Sequence, residues 1–186
     1  MKAGAEYKYG ESTVNNNDGT STNEKNTDNA KGEAQYNRLF NARTYGVLSA
    51  SLLYDDIADI DYRAIIGLGL GQYLVKTDAS SLAIEVGPAE LLEKVGGEKN
   101  DAVLLRAAQR GEHKFASGAK VWDSVEYLPE LEDFGAYLLN SEVGLDAAVA
   151  GDLSLRLVVQ DRYDSKPAQD SEKNDVSVTA GLVYKL

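Results

Sequence analysis

The amino-acid sequence predicts an all-β protein, an up-and-down antiparallel transmembrane β-barrel of about ten strands. Three observations predict it. Apolar and polar residues alternate through segments about ten residues long, the length with which a tilted strand crosses a bilayer. Connections between those segments alternate strictly between short and long. Tyrosines collect near the segment ends, where a phenol ring can sit in apolar surroundings with its hydroxyl in water.

Composition narrows the class. The 186 residues suit one domain, taken here as 1–186. There is no cysteine, which removes disulfides, thiolate nucleophiles and cysteine metal sites. A net charge of −11 without a basic cluster argues against nucleic acid as a partner. No stretch approaches the roughly 20 apolar residues of a membrane helix. The opening residues, MKAGAEYKYGE, carry no apolar core behind their lysine, so no signal peptide stands in this numbering.

In chain order, strands are expected near 3–14, 31–41, 44–54, 61–75, 81–93, 102–115, 119–129, 135–148, 152–164 and 175–186. Residues 15–30 are low in apolar content and read as a mobile outer loop. In the fourth segment Tyr62, Ala64, Ile66, Leu68 and Leu70 oppose Arg63, Gly67, Gly69 and Gly71. These glycines lack the following helix of a dinucleotide fold, and they suit lumen space or strong sheet curvature instead. Residues 88–97 and 103–110 are locally compatible with helix, but the alternation of turns needs both as strands. Pro88 then marks a bulge or interruption. Further on, Tyr137, Leu139, Val143, Leu145 and Ala147 oppose Asn140, Glu142, Gly144 and Asp146. Leu153, Leu155, Leu157 and Val159 oppose Ser154, Arg156, Gln160 and Arg162. The last segment sets Val176, Val178, Ala180, Leu182, Tyr184 and Leu186 against Asp175, Ser177, Thr179, Gly181 and Lys185.

Connections around Ala42, Thr77, Ser117 and Gly151 are short; those at 15–30, 55–60, 94–101, 130–134 and 165–174 are mostly longer and polar. Both termini then fall on the short-turn side, as in barrels with tight periplasmic turns. Interfacial aromatics are expected at Tyr9, Tyr54, Tyr62, Tyr127, Tyr137 and Tyr163 toward the long loops, and at Tyr45, Tyr73 and Tyr184 toward the short turns.

The polar face carries both signs of charge: Arg63, Glu85, Arg106, Arg110, Glu112, Glu126, Glu142, Arg156, Arg162 and Lys185. In a narrow barrel these would pair across the lumen. Catalytic signals are few. His113 is the only histidine, and Ser117 and Ser124 are nearby without a motif that positions a nucleophile. No enzyme, metal centre or cofactor is expected. Loop acids Asp55, Asp56, Asp59, Glu130, Glu132, Asp133, Asp170 and Glu172, with the 15–18 run, suit at most weak divalent-cation binding.

From about Gln35 onward the chain resembles the YdiY-like salt-induced outer-membrane proteins. The resemblance is carried by Tyr62-Arg63 before the glycines at 67, 69 and 71, residues 85–88, residues 112–115, Val121-Trp122, residues 128–134, residues 160–165 and the closing 173–186. It implies a bacterial outer-membrane barrel without assigned activity, in contact with outer-membrane lipid, with a role in the envelope or as a narrow pore and a link to salt stress. It also implies recognition by the barrel-assembly machinery through Tyr184 and Leu186, although Leu186 stands where such barrels commonly end in Phe. Family members begin with further strand-like sequence, which would raise the count to twelve. Alternation alone leaves two other readings: a soluble lipocalin-like barrel around an apolar ligand, and a rim-active lipid hydrolase using His113.

Overall fold

The computed structural model describes residues 2–15, 21–151, 153–169 and 171–184. Among these there are ten strands and no helix: β1 (Lys2–Asn15), β2 (Ser21–Leu39), β3 (Thr44–Asp55), β4 (Ile60–Lys76), β5 (Ser80–Val95), β6 (Glu98–Lys114), β7 (Lys120–Pro129), β8 (Tyr137–Ala150), β9 (Leu153–Asp164) and β10 (Asn174–Tyr184). They form one antiparallel sheet in chain order from β1 to β10. Period-two side chains and short polar connections leave each strand its sequence neighbour as the nearest partner.

The sheet curls, because side chains far apart in sequence meet on one face. Arg63 of β4 reaches Asp164 of β9 at 2.6 Å, and Arg162 of β9 reaches Asp55 of β3 at 3.0 Å. Lys8 of β1 donates to Gln160 of β9 and Ser177 of β10, both at 3.1 Å. No backbone pairing joins β1 to β10 among the described residues, so the sheet is curled but not closed.

The two faces are inverted relative to a water-soluble barrel. Charged groups lie inside: Arg106 and Glu85 are each 3 % exposed, and Arg63, Glu93 and Asp55 are also buried. Aliphatic groups lie outside, among them Leu48, Leu68, Val143, Leu157 and Leu182. The outer face is not wholly apolar; Glu90 on β5 alternates outward with Val86. Nor is the interior wholly polar. Leu91, Leu104, Leu128 and Leu138 form a buried cluster with Ala89, and Tyr45, Val47 and Ala83 form a second.

Several expectations need correction. The predicted loop at 15–30 is mostly strand: β2 begins at Ser21 and pairs with β1 from Ser21↔Asn15 through Gln35↔Lys2. Its polar residues pair because both partners are polar, and residues 16–20 lie outside the described residues. The predicted connection at 94–101 shrinks to Gly96-Gly97, whose φ values of 59° and 78° make the two-residue hairpin turn that suits the twist of flanking strands. The segments at 88–97 and 103–110 are strands as expected. At Pro88, the β4–β5 ladder skips from Gly67↔Ala89 to Leu70↔Val86, where proline has no N–H to donate.

Tyr45 and Tyr73 are not interfacial. Tyr45 is 1 % exposed, and Tyr73 packs on it with ring centroids 5.1 Å apart. Both sit inside because the register sets Tyr45 opposite Gly71. A Cβ at Gly71 would lie 2.2 Å from the Tyr45 ring, so this glycine supplies the lumen space foreseen for it. Exposed aromatics at the short-turn side are instead Tyr36, Phe40, Phe115 and Tyr184. At the long-loop side Tyr9, Tyr54, Tyr62 and Tyr127 are exposed. Tyr127, Tyr137 and Tyr163 form a ladder at 5.4 and 5.6 Å.

Candidate functional site: the charged lumen

The inward positions of β5 to β7 bring four of the predicted charges, Glu85, Arg106, Arg110 and Glu126, into contact with one another. Glu85 is the hub. Its Oε2 accepts from both terminal nitrogens of Arg106, at 2.9 and 3.0 Å. Its Oε1 accepts from the Tyr45 hydroxyl at 2.8 Å and from Gln35 at 3.0 Å. Arg106 also donates through Nε to Glu126 at 2.6 Å. Four donors fill the lone pairs of Glu85, which is how a buried carboxylate is tolerated. This cluster bridges β2, β3, β5, β6 and β7 across the lumen.

Arg63 holds a second cluster, with Glu93 at 2.5 Å and Asp164 at 2.6 Å. Arg162 joins Asp55 on β3 and Asp175 on β10. Toward the short turns, Arg156 pairs doubly with Asp146 at 2.7 and 2.8 Å. Arg156 and Lys120 also lie over the Trp122 ring, 5.0 and 4.8 Å from its centroid. Glu112 pairs with Lys120 at 3.6 Å. Glu142 accepts from Trp122 Nε1 and from Gln160, both at 2.8 Å. Lys185 and Leu186 lie outside the described residues.

Sequence reasoning placed Asp146 on the polar face but missed Asp55, Glu93 and Asp164 as lumen partners, together with Lys8, Tyr45 and Trp122. All fall on the inward parity of their strands, so strict counting from the nearest known lumen residue would have found them. Tyr45 would have been reached by pairing a large residue with the glycine opposite it.

A cavity of about 220 Å³ occupies the lumen on the side of β8, β9, β1 and β2, lined by Arg110, Ser124, Glu142, Gln160, Lys8 and Arg162 among others. Residues 165–169 and 171–173 lie at its mouth. Ser165 N donates to Tyr137 O at 3.0 Å, Lys166 pairs with Asp133 at 2.8 Å, and Ser171 Oγ donates to Ala58 O at 3.5 Å. In this loop contact Lys166 holds the Asp133 carboxyl below its ordinary value, helped by the Gly135 N–H. Asp133 in turn raises the Lys166 ammonium.

The predicted loop acids are dispersed: Asp55 goes to Arg162, Asp56 to Lys25 and Asp133 to Lys166. Asp170 and residues 16–18 lie outside the described residues. Among the described residues no group of three or more His or acidic side chains is arranged to hold a metal. His113 has its Nδ1 2.7 Å from Ser80 Oγ and its ring edge-on to Phe115. Ser124 faces the lumen cavity instead, and Ser117 accepts from the Ala119 N–H within its turn.

Fold and site together define an inside-out antiparallel β-sheet with an ion-paired interior. The family model described as "Protein of unknown function, DUF481" matches residues 1–186, and the chain belongs to that family. No curated protein and no solved structure matches it.

Proposed function

We propose that the protein is a non-enzymatic outer-membrane β-barrel whose narrow lumen is crossed by ion pairs, acting in the envelope or as a path for very small polar solutes. The observation that carries this reading is the inversion of faces. Leu145, Leu155, Leu157 and Leu182 are 39–69 % exposed, while Glu85 and Arg106 are sealed inside. In water, aliphatic exposure on nearly every strand would drive association; against lipid tails it costs nothing, and backbone groups are satisfied within the sheet save along the edges of β1 and β10. Outer-membrane lipid and the assembly machinery are the partners this implies. The finer kinship with the salt-induced proteins, and with it a role in salt stress, rests on sequence resemblance.

Two competing readings lose support. A lipocalin-like carrier needs an apolar interior, and the cavity here is lined by charges. A hydrolase would use His113, whose Nδ1 is taken by Ser80 with no carboxylate on the other ring nitrogen among the described residues; that contact ties β5 to β6. The test is refolding into detergent micelles. A compact, heat-modifiable monomer is expected. A protein that stays folded, monodisperse and monomeric without detergent overturns the membrane reading.

A further inference from the structure

The lumen's charges are not all matched. Among the described residues Arg110 makes one ion pair, with Glu85 at 3.8 Å from its Nε, and the four lone pairs of Glu85 are already used in hydrogen bonds. Its Nε is buried and makes no hydrogen bond, while the side chain as a whole is 39 % exposed and lines the cavity. A guanidinium presents five donors, and leaving one buried without an acceptor is costly. Glu142 is the converse: a lumen carboxylate hydrogen-bonded by two neutral donors, Trp122 and Gln160, with Arg156 beyond the indole but in no direct ion pair with it among the described residues.

These two groups are neighbours. The register runs Arg110↔Ser124 between β6 and β7 and Ser124↔Glu142 between β7 and β8. Two strand spacings therefore separate the backbones of Arg110 and Glu142, about 10 Å. Both side chains face the same cavity, and Ser124 stands between them with only a small hydroxymethyl group. The result is a cation with free donors and an anion without a direct ion pair on either side of a gap, with a hydroxyl at its centre.

We propose that Arg110, Ser124 and Glu142 form a binding site for a small zwitterion of the amino-acid type. The ligand's carboxylate would take the free donors of Arg110, its ammonium would lie on Glu142, and Ser124 Oγ would hydrogen-bond between the two. A ligand of one sign satisfies one wall and leaves the other, so the site discriminates by requiring both charges. It rests on the lumen reading and adds a ligand class to it.

The test is calorimetric titration of the folded protein, in whichever medium keeps it monomeric, with glycine, β-alanine and 4-aminobutyrate, which bracket the charge separation. Acetate and methylamine serve as single-charge controls. At least one zwitterion should bind saturably, with each control at least ten-fold weaker. Arg110→Gln and Glu142→Gln should each weaken binding ten-fold or more. Ser124→Leu, which keeps both charges and fills the gap, should do the same, and it decides the matter if either charge variant fails to fold. Absence of saturable heat with all three zwitterions overturns the site, as does acetate binding as tightly as they do, or binding untouched by the variants that fold. Failure of the membrane reading would show instead as a stable monomer without detergent, whatever the titration gives.

Discussion

Glu85 shows how one residue organises the interior. Replacing it with leucine removes the acceptor of Arg106, Tyr45 and Gln35 at once and leaves Arg106 with Glu126 alone. Breaking a buried pair from one side costs roughly 3–5 kcal/mol, because the remaining charge stays desolvated. Glu85→Leu should lower unfolding stability in urea by about that amount, and Glu85→Gln by less, since an amide oxygen still accepts. Gly144 tests packing rather than charge. A Cβ there would stand 2.0 Å from the Trp122 ring, so Gly144→Ala must displace the indole that donates to Glu142 and carries Lys120 and Arg156 on its faces. A shift in tryptophan fluorescence, from the chain's single tryptophan, should report it. An unchanged spectrum would mean the ring is not held where the structure places it.

At the scale of elements, the loop over the mouth is the part held most by surface contacts. Its tie to the β7–β8 connection runs through Lys166 and Asp133, both exposed. The Asp133 carboxyl titrates below its ordinary value of 3.8 in the folded protein. A depressed carboxyl contributes stability above its unfolded value and loses it as pH falls through the folded one. Amide protection in residues 165–169 and 171–173, corrected for the intrinsic pH dependence of exchange, should therefore fall below about pH 4, and Asp133→Asn should give the acid behaviour at neutral pH. Equal exchange in both proteins at pH 7 would show that the loop is held by Ser165 and Ser171 alone.

The same elements show what was readable in the chain. Strand parity placed Arg63, Glu85, Arg106, Arg156 and Arg162 correctly, because a side-chain period of two is a local property. Tyr45 and Tyr73 were misplaced for a non-local reason: whether a ring turns inward depends on the size of the residue opposite, Gly71 here, and that pairing exists only once register is set. The polar run from Ser21 to Ala30 read as loop because it buries little, yet pairing with β1 satisfies its backbone without a core. Gly96-Gly97 was likewise read too broadly, as part of a longer connection at 94–101, although two consecutive glycines between two segments suit a two-residue hairpin turn.

Over the whole molecule, the inversion of faces and the seam between β1 and β10 make separate demands. Outward Leu157→Arg should cost about 2–4 kcal/mol in a bilayer if its position is central, and almost nothing in a water-soluble protein. The seam is more telling, because two unpaired edges carry backbone groups that lipid cannot satisfy. Lys8 marks the register at which the edges would close, since its ammonium bonds Ser177 Oγ. β1 and β10 run antiparallel, so setting Lys8 level with Ser177 places Ala5 opposite Ala180 and Ala3 opposite Leu182, all four on the outer parity. If the edges pair at that register in lipid, Cα atoms of such pairs come to roughly 4.5–5.5 Å, within the span of a disulfide. The chain has no cysteine of its own, which makes the experiment clean. Ala5→Cys with Ala180→Cys should oxidise within one chain in lipid and migrate as a faster monomer, whereas Ala3→Cys with Ala180→Cys, one step out of register, should oxidise more slowly. A disulfide-linked dimer from the first pair would mean that the free edges of two copies join each other, and equal rates for both pairs would mean that Lys8 does not set the register.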